Sequence, residues 1–70
     1  MKILSERLRQ ARTEKGLTQK DLFKKTGLAV SSICLYETGK TEPSLFSTLL
    51  LADALGVSID WLVGRKKAKK

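Results

Sequence analysis

The sequence predicts an all-α protein, built as a compact bundle of five short helices. Apolar residues recur at helical spacing, no segment alternates like a strand, and each of the five glycines follows a helical run. At 70 residues the chain is long enough for one domain with a small core, and a hydrophobic fraction of 41% favours folding over disorder. We therefore expect one domain over residues 1–64, followed by a basic, disordered tail at 65–70.

The first helix is predicted from about Ile3 to Lys15. Its apolar side chains fall three or four residues apart, which places them on one face, and polar side chains fill the other faces. The residues on the apolar face are Ile3, Leu4, Leu8 and Ala11. Gly16 then ends the helix, because glycine readily adopts the left-handed conformation that closes a helix.

Two further short helices are predicted over residues 19–26 and 30–38. Thr18 is a good N-cap for the first of them, and Asp21 three residues later can complete a loose capping box. Gly27 ends that helix, so only three residues connect it to the next one. Two short helices joined so closely must cross at a steep angle, which leaves one face of the second helix free. This spacing is typical of a DNA-reading helix-turn-helix, although other helical hairpins share it.

The fourth and fifth helices follow a loop at 39–44 that holds the only proline. Ser44 is the expected N-cap of a helix that runs to about Leu55. Ser58 is the expected N-cap of a last short helix over residues 59–63. No strand, repeat or interdomain linker is predicted.

The fourth helix is unusually apolar on all sides. Its expected core face consists of Leu45, Thr48, Leu49, Ala52 and Leu55, with Leu51 at the edge. Phe46 and Leu50 lie together on roughly the opposite side. Either the last helix covers them, or they form a homodimer contact, which we favour. The predicted dimer residues are Phe46, Leu50, Ile59 and Trp61.

The net charge of +7 is concentrated at the C-terminal end. Residues 65–70 carry five of the fourteen basic residues, so residues 1–64 have nine basic and seven acidic residues, a net charge of +2. A tail of this kind either is simply solvated or attracts DNA phosphates without regard to sequence. Such an attraction weakens steeply with salt.

The composition argues against several other functions. Cys34 is the only cysteine and there is no histidine, so neither an intrachain disulfide nor a zinc site of the usual Cys/His kind can form. Without histidine or a glycine-rich phosphate loop, and with little room for a cleft, we expect no enzyme, no cofactor and no small-molecule ligand. No apolar run is long enough for a membrane span, and the N-terminus turns charged too early for a secretory signal. We expect a cytoplasmic, nucleoid-associated protein.

Three motifs make the chain resemble the phage Cro and repressor family of helix-turn-helix proteins, also called the XRE-like family. They are LSERLRQARTEKGLTQKDL, YETGKTEPS and LADALGVSIDWLVG. The resemblance covers nearly all of residues 4–63 and implies a lambda-repressor-like DNA-binding domain. It implies that the second helix of the motif lies in the major groove of double-stranded DNA, while the first crosses the phosphate backbone.

The resemblance also implies roles for individual residues. The positions that match phosphate-contacting ones are Gln19, Lys20, Lys40 and Thr41. Arg12 in the first helix and Glu37 near the end of the third match a partly buried ion pair, so we assign them a structural role. The positions that match base-reading ones are Ala29, Val30, Ser31, Cys34 and Leu35.

The reading positions depart from those of many relatives, which place long polar side chains there. Only Ser31 offers a hydrogen bond, and a single hydroxyl discriminates weakly between bases. Val30 and Leu35 either are buried or face the groove, where they would pack against thymine C5-methyl groups; we favour the groove. Phe23 is a second departure, because relatives usually have a small residue where helices two and three cross. A phenyl ring there must push the helices apart or turn outward.

Taken together, the residues and the resemblance predict a sequence-specific transcriptional regulator, and specifically a dimeric repressor that reads an inverted repeat. Its half-sites would lie about 34 Å apart, one turn of DNA. The homodimer is expected to be weak in solution and stronger on DNA. The alternative is a protein-interaction module, such as an antitoxin, or a restriction-modification controller.

Overall fold

The computed structural model describes residues 2–69, and Met1 and Lys70 lie outside the described residues. Its helices are α1 (Lys2–Glu14), α2 (Gln19–Thr26), α3 (Val30–Thr38), α4 (Leu45–Leu55) and α5 (Ile59–Leu62). The predicted all-α fold and the bounds of α2, α3 and α4 are confirmed, and the ends of α1 and α5 differ from the predicted ones by one residue. No helix among residues 2–69 is long and apolar enough to cross a membrane.

Local contacts begin and end the helices of the helix-turn-helix. The Thr18 hydroxyl accepts a hydrogen bond from the Asp21 amide at 3.0 Å, and the Asp21 carboxylate accepts one from the Thr18 amide at 2.9 Å. The capping box is therefore complete. The hydrogen bond from the Thr18 amide, together with the Thr18 hydroxyl, lowers the pKa of Asp21. Gly27 and Gly39 end α2 and α3 at φ 78°, where any other residue would be strained.

Each helix contributes one fully buried side chain to a single core. These residues are Leu8, Leu22, Ile33, Leu51 and Leu62. α3 packs against both α1 and α2, α2 also contacts α4, and α5 closes the bundle against α1 and α4. The core thus holds α3 by its inner face and leaves its outer face available.

Three of the five residues predicted for the core face of α4 are buried, but the buried face is rotated about the helix axis by about 50° from the predicted one. Leu45 and Leu49, expected in the core, are 71% and 44% exposed, whereas Leu51, expected at the edge, is fully buried. The residues that α4 buries are Thr48, Leu51, Ala52 and Leu55. Because α4 is apolar on nearly every side, its sequence does not determine which face turns inward. Packing against α2 and α5 does.

Residues 65–69 form no helix or strand, but they run back along α1. The Lys66 carbonyl accepts a hydrogen bond from Arg7 Nη1 at 2.9 Å, and the Lys69 ammonium pairs with Glu14. The sequence predicts a disordered tail here, and in the structure residues 65–69 contact α1.

Candidate DNA interface

The outer face of α3 carries the residues predicted to read bases. Val30 is 39% and Leu35 is 40% exposed, while Ile33 on the inner side is fully buried. The other exposed members of this set are Ala29, Ser31 and Cys34. Of the two alternatives for Val30 and Leu35, burial is therefore wrong, and both side chains are accessible from outside the bundle.

This outer face has no charged side chain and little capacity for hydrogen bonds. The Thr38 hydroxyl donates within the helix, at 3.0 Å to the Cys34 carbonyl and 3.2 Å to the Leu35 carbonyl. Within residues 2–69, the Ser31 hydroxyl makes no hydrogen bond to another side chain. This surface can pack against the methyl groups of thymine, but it cannot form the paired hydrogen bonds that identify other base edges.

A buried ion pair fastens α3 to α1, as the resemblance implies. Arg12 Nε donates to Glu37 Oε2 at 2.6 Å, and Arg12 Nη2 donates to Glu37 Oε1 at 3.0 Å, so the pair is bidentate. The two side chains are 13% and 3% exposed, and Arg12 Nη1 donates to the Leu17 carbonyl at 2.8 Å. The hydrogen bond to Glu37 raises the pKa of Arg12, against the effect of burial. The pair therefore fixes the end of α3 relative to the residues that lead into α2.

The residues predicted to contact phosphates gather near the C-terminal end of α3. Gln19 Nε2 donates to Glu37 Oε1 at 3.2 Å, which brings the first turn of α2 beside that end. The amides of Lys40 and Thr41 donate to the Leu35 carbonyl at 3.0 and 3.4 Å, so the loop after α3 is held by its backbone. The exposed side chains in this region are those of Lys20, Lys40 and Thr41. The Gln19–Glu37 bond has no signal in the sequence, because it joins side chains from different helices.

Phe23 does not separate the two helices of the motif. Its side chain is 42% exposed, and α2 and α3 remain packed against each other. Of the two outcomes expected for a bulky residue at this crossing, the structure shows the ring turned outward.

The predicted dimer residues do not form one surface. Trp61 is 3% exposed and belongs to the core, so its assignment to a dimer contact is wrong; Arg7 from α1 covers its ring, with 4.9 Å between the guanidinium carbon and the ring centroid. Phe46 is 70% exposed, so α5 does not cover it, while Leu50 and Ile59 are partly buried. The exposed apolar side chains of α4, which we call the α4 patch, are Leu45, Phe46 and Leu49. The exposure of Leu45 and Leu49 is indicated in the sequence only by the number of apolar residues in α4, which is larger than one core face needs.

This geometry defines a helix-turn-helix DNA-binding domain: two short crossed helices, a buried brace behind them and an accessible second helix. The chain belongs to the Helix-turn-helix family, whose model matches residues 8–62. It is 38% identical over 61 residues to YonR of Bacillus subtilis strain 168, an SPbeta prophage-derived, uncharacterized HTH-type transcriptional regulator. That alignment covers 87% of this chain and 56% of YonR.

Two solved structures share the fold. The P22 c2 repressor, in complex with a synthetic operator, matches with a TM-score of 0.84 and 32% identity, over 90% of this chain and 96% of that one. The restriction-modification controller protein C.AhdI from Aeromonas hydrophila matches with a TM-score of 0.82 and 38% identity, over 87% and 92%. The family resemblance and the lambda-repressor-like fold are thereby confirmed. The chain spans about half the length of the curated relatives it matches.

Proposed function

We propose that the protein is a sequence-specific regulator of transcription that binds double-stranded DNA with α3 in the major groove. The observation that carries this proposal is the exposed, uncharged outer face of α3, on a helix whose inner face is fixed by Ile33 and by the Arg12–Glu37 pair. A helix held in this way can enter a groove without rearranging. The similarity to HTH-type transcriptional regulators, and to a repressor solved on a synthetic operator, supports the proposal.

Phosphate contacts would supply register and much of the affinity. We assign them to the four residues around the end of α3, namely Gln19, Lys20, Lys40 and Thr41. Gln19 has two amide hydrogens and donates to Glu37 through Nε2, so a second hydrogen remains for a phosphate oxygen. Glu37 would thereby hold Gln19 in a conformation that is ready to bind.

Sequence would be read mainly through the C5-methyl groups of thymine. Val30 and Leu35 offer exposed apolar surface, Ala29 adds a methyl group, and Cys34 is a small, weakly polar neighbour. Ser31 would supply the hydrogen bond to a base edge. Since no side chain on this face can form a bidentate hydrogen bond, adenine and guanine would be recognised weakly.

A second copy of the chain would pair with the first through the α4 patch. Its members Leu45, Phe46 and Leu49 are 71%, 70% and 44% exposed, which is unusual for three large apolar side chains on one short helix. A two-fold dimer would place its two α3 helices in successive major grooves, about 34 Å apart, and so read an inverted repeat. Repression would follow from occupying a promoter and excluding polymerase.

The test is selection of duplexes from a random DNA library by the 70-residue chain at physiological salt. We expect enrichment of a thymine-containing inverted repeat. Leu35→Ala should change the selected sequence, whereas Ile3→Ala should leave it unchanged. Ile3 is an exposed apolar residue of α1 and serves as the matched control, with 37% exposure against 40% for Leu35.

Equal binding to all duplexes would contradict the proposal, because it would mean that the basic C-terminal residues supply the affinity. The α4 patch would then favour the protein-interaction module. In that case, Phe46→Lys should abolish partner binding while Leu35→Ala leaves it intact.

A further inference from the structure

The basic C-terminal segment is attached to α1 by named contacts. Residues 65–69, which we call the strap, carry four cationic side chains on five residues. Arg65 donates its amide to the Asp60 carbonyl at 2.7 Å, and Arg7 Nη1 donates to the Lys66 carbonyl at 2.9 Å. Arg7 thus holds the first half of the strap by the strap's backbone, and this contact occupies none of the strap's cationic side chains.

Lys69 fastens the far end of the strap. Its ammonium pairs with Glu14 and lies 5.7 Å from the centroid of the Trp61 ring, and its carbonyl accepts a hydrogen bond from the Ser58 amide. Lys69 is the one strap cation whose side chain contacts an acidic group among residues 2–69. That contact is also reflected in a lowered pKa of Glu14.

The contacts that hold the strap on α1 are weak. Lys69 and Glu14 are 45% and 49% exposed, and exposed ion pairs are weak and screened by salt. Ala68 is the only apolar residue of the strap, so little hydrophobic burial holds it in place. An open concavity of about 310 Å³ remains next to Lys69, lined in part by the apolar side chains of Leu55 and Val57.

The strap lies on the flank of α1 that faces away from α3. Arg12, on the α3 side, pairs with Glu37 of α3. Arg7 and Glu14, which hold the strap, are seven residues apart and so share one face of α1. At about 100° per residue, that face is roughly opposite the one that carries Arg12. The strap therefore lies on the opposite side of α1 from the helix that is proposed to enter the groove.

We propose that the strap has two positions, closed on α1 in the free protein and released when its cations bind phosphates of the DNA that flanks the site. The inference rests on the proposed function, since DNA is the ligand. Glu14 and phosphate compete for Lys69, and Arg65, Lys66 and Lys67 move with it. Only molecules with a released strap can make these contacts. Closure therefore lowers the part of the DNA affinity that the strap supplies, in proportion to the fraction of molecules in which the strap is closed.

The first test compares Glu14→Gln with Glu6→Gln in the 70-residue chain. Both changes remove one negative charge from an exposed residue of α1, but only Glu14 contacts the strap. Binding to a duplex of random sequence is measured by fluorescence anisotropy at low salt. Glu14→Gln should bind about two- to fivefold more tightly than Glu6→Gln, the range expected for release of an exposed ion pair. In a Lys66→Gln/Lys67→Gln background this difference should shrink.

A second readout needs no DNA. Trp61 is the only tryptophan, and Lys69 lies over its ring, so quenching of its fluorescence by acrylamide reports the strap. Glu14→Gln should increase quenching at low salt, whereas Glu6→Gln should not. Equal DNA affinity and equal quenching for the two variants would overturn the proposal that the strap has two positions. Failure of the library selection, with the Glu14→Gln effect intact, would instead overturn sequence-specific binding alone.

Discussion

Replacing Arg12 by methionine tests how the helix-turn-helix is held together. The change keeps an unbranched, apolar stem but removes three hydrogen bonds, two to Glu37 and one to the Leu17 carbonyl. Glu37, which is 3% exposed, would retain only the hydrogen bond from Gln19 at 3.2 Å. A buried charge left in this way destabilises a fold by about 3–5 kcal/mol.

That loss is large for a chain of this size. A domain of this length has a free energy of unfolding of roughly 4–10 kcal/mol, so Arg12→Met should remove a third of it or more. The midpoint of thermal unfolding should fall by about 12–40 °C. The assay is urea and thermal denaturation at pH 7, followed by circular dichroism at 222 nm.

Two further variants decide whether the ion pair is the cause. Arg9→Met removes an exposed arginine from the same helix and should change the free energy of unfolding by less than about 0.5 kcal/mol. Arg12→Met combined with Glu37→Met should recover most of the loss, because an apolar pair leaves no charge buried. A loss below about 1 kcal/mol for Arg12→Met, typical of an exposed pair, would refute the reasoning. So would a double variant no more stable than the single one.

Three more predictions test the reading face, the α4 patch and the capping box. In the selected operator, each contacted thymine replaced by uracil should weaken binding by about 0.8 kcal/mol, or about fourfold, whereas uracil outside the half-sites should have no effect. An operator indifferent to uracil would exclude methyl reading. Phe46→Lys should weaken self-association by about tenfold or more in analytical ultracentrifugation. The control Ile3→Lys, on α1, should leave self-association unchanged. A dimer that Phe46→Lys does not weaken would show that the chains associate through another surface. The pKa of Asp21 is lowered by the Thr18 amide, so its carboxylate stabilises the fold above about pH 4 and less as the pH falls through the folded-state pKa. In urea denaturation, the Asp21→Asn variant should therefore have a lower free energy of unfolding than the unchanged chain at pH 7. The difference between the two free energies should narrow below about pH 4. A difference that does not depend on pH would show that the charge is not involved.

The helix boundaries were predictable because their signals are local. Thr18 and Asp21 satisfy each other across one turn, and Gly27 provides the left-handed residue that ends α2. Ser44 caps α4 in the same way, through the Ser47 amide at 3.1 Å. None of these signals depends on the rest of the fold, so a single sequence suffices to place the helices.

The orientation of α4 and the position of Trp61 were not predictable in this way. An almost entirely apolar helix has several faces that could enter the core, and its neighbours decide which one does. The burial of Trp61 depends on Arg7, and the path of the strap depends on Glu14; in both cases the partners are about 54 residues apart in the chain. Spacing within one segment carries no information about such contacts.

The interface separates the residues that would supply specificity from those that would supply affinity. The outer face of α3 is neutral, so contacts between Val30 or Leu35 and thymine methyl groups should respond little to salt. Lys20, Lys40 and the strap carry the cations, and their contacts with phosphate weaken as counterions become abundant. Raising the salt concentration should therefore weaken binding to operator and random-sequence duplexes by a similar factor, so the ratio of the two affinities should change little. A strap that stays closed until phosphate displaces Glu14 likewise lowers the affinity for every duplex, because its contacts do not depend on sequence.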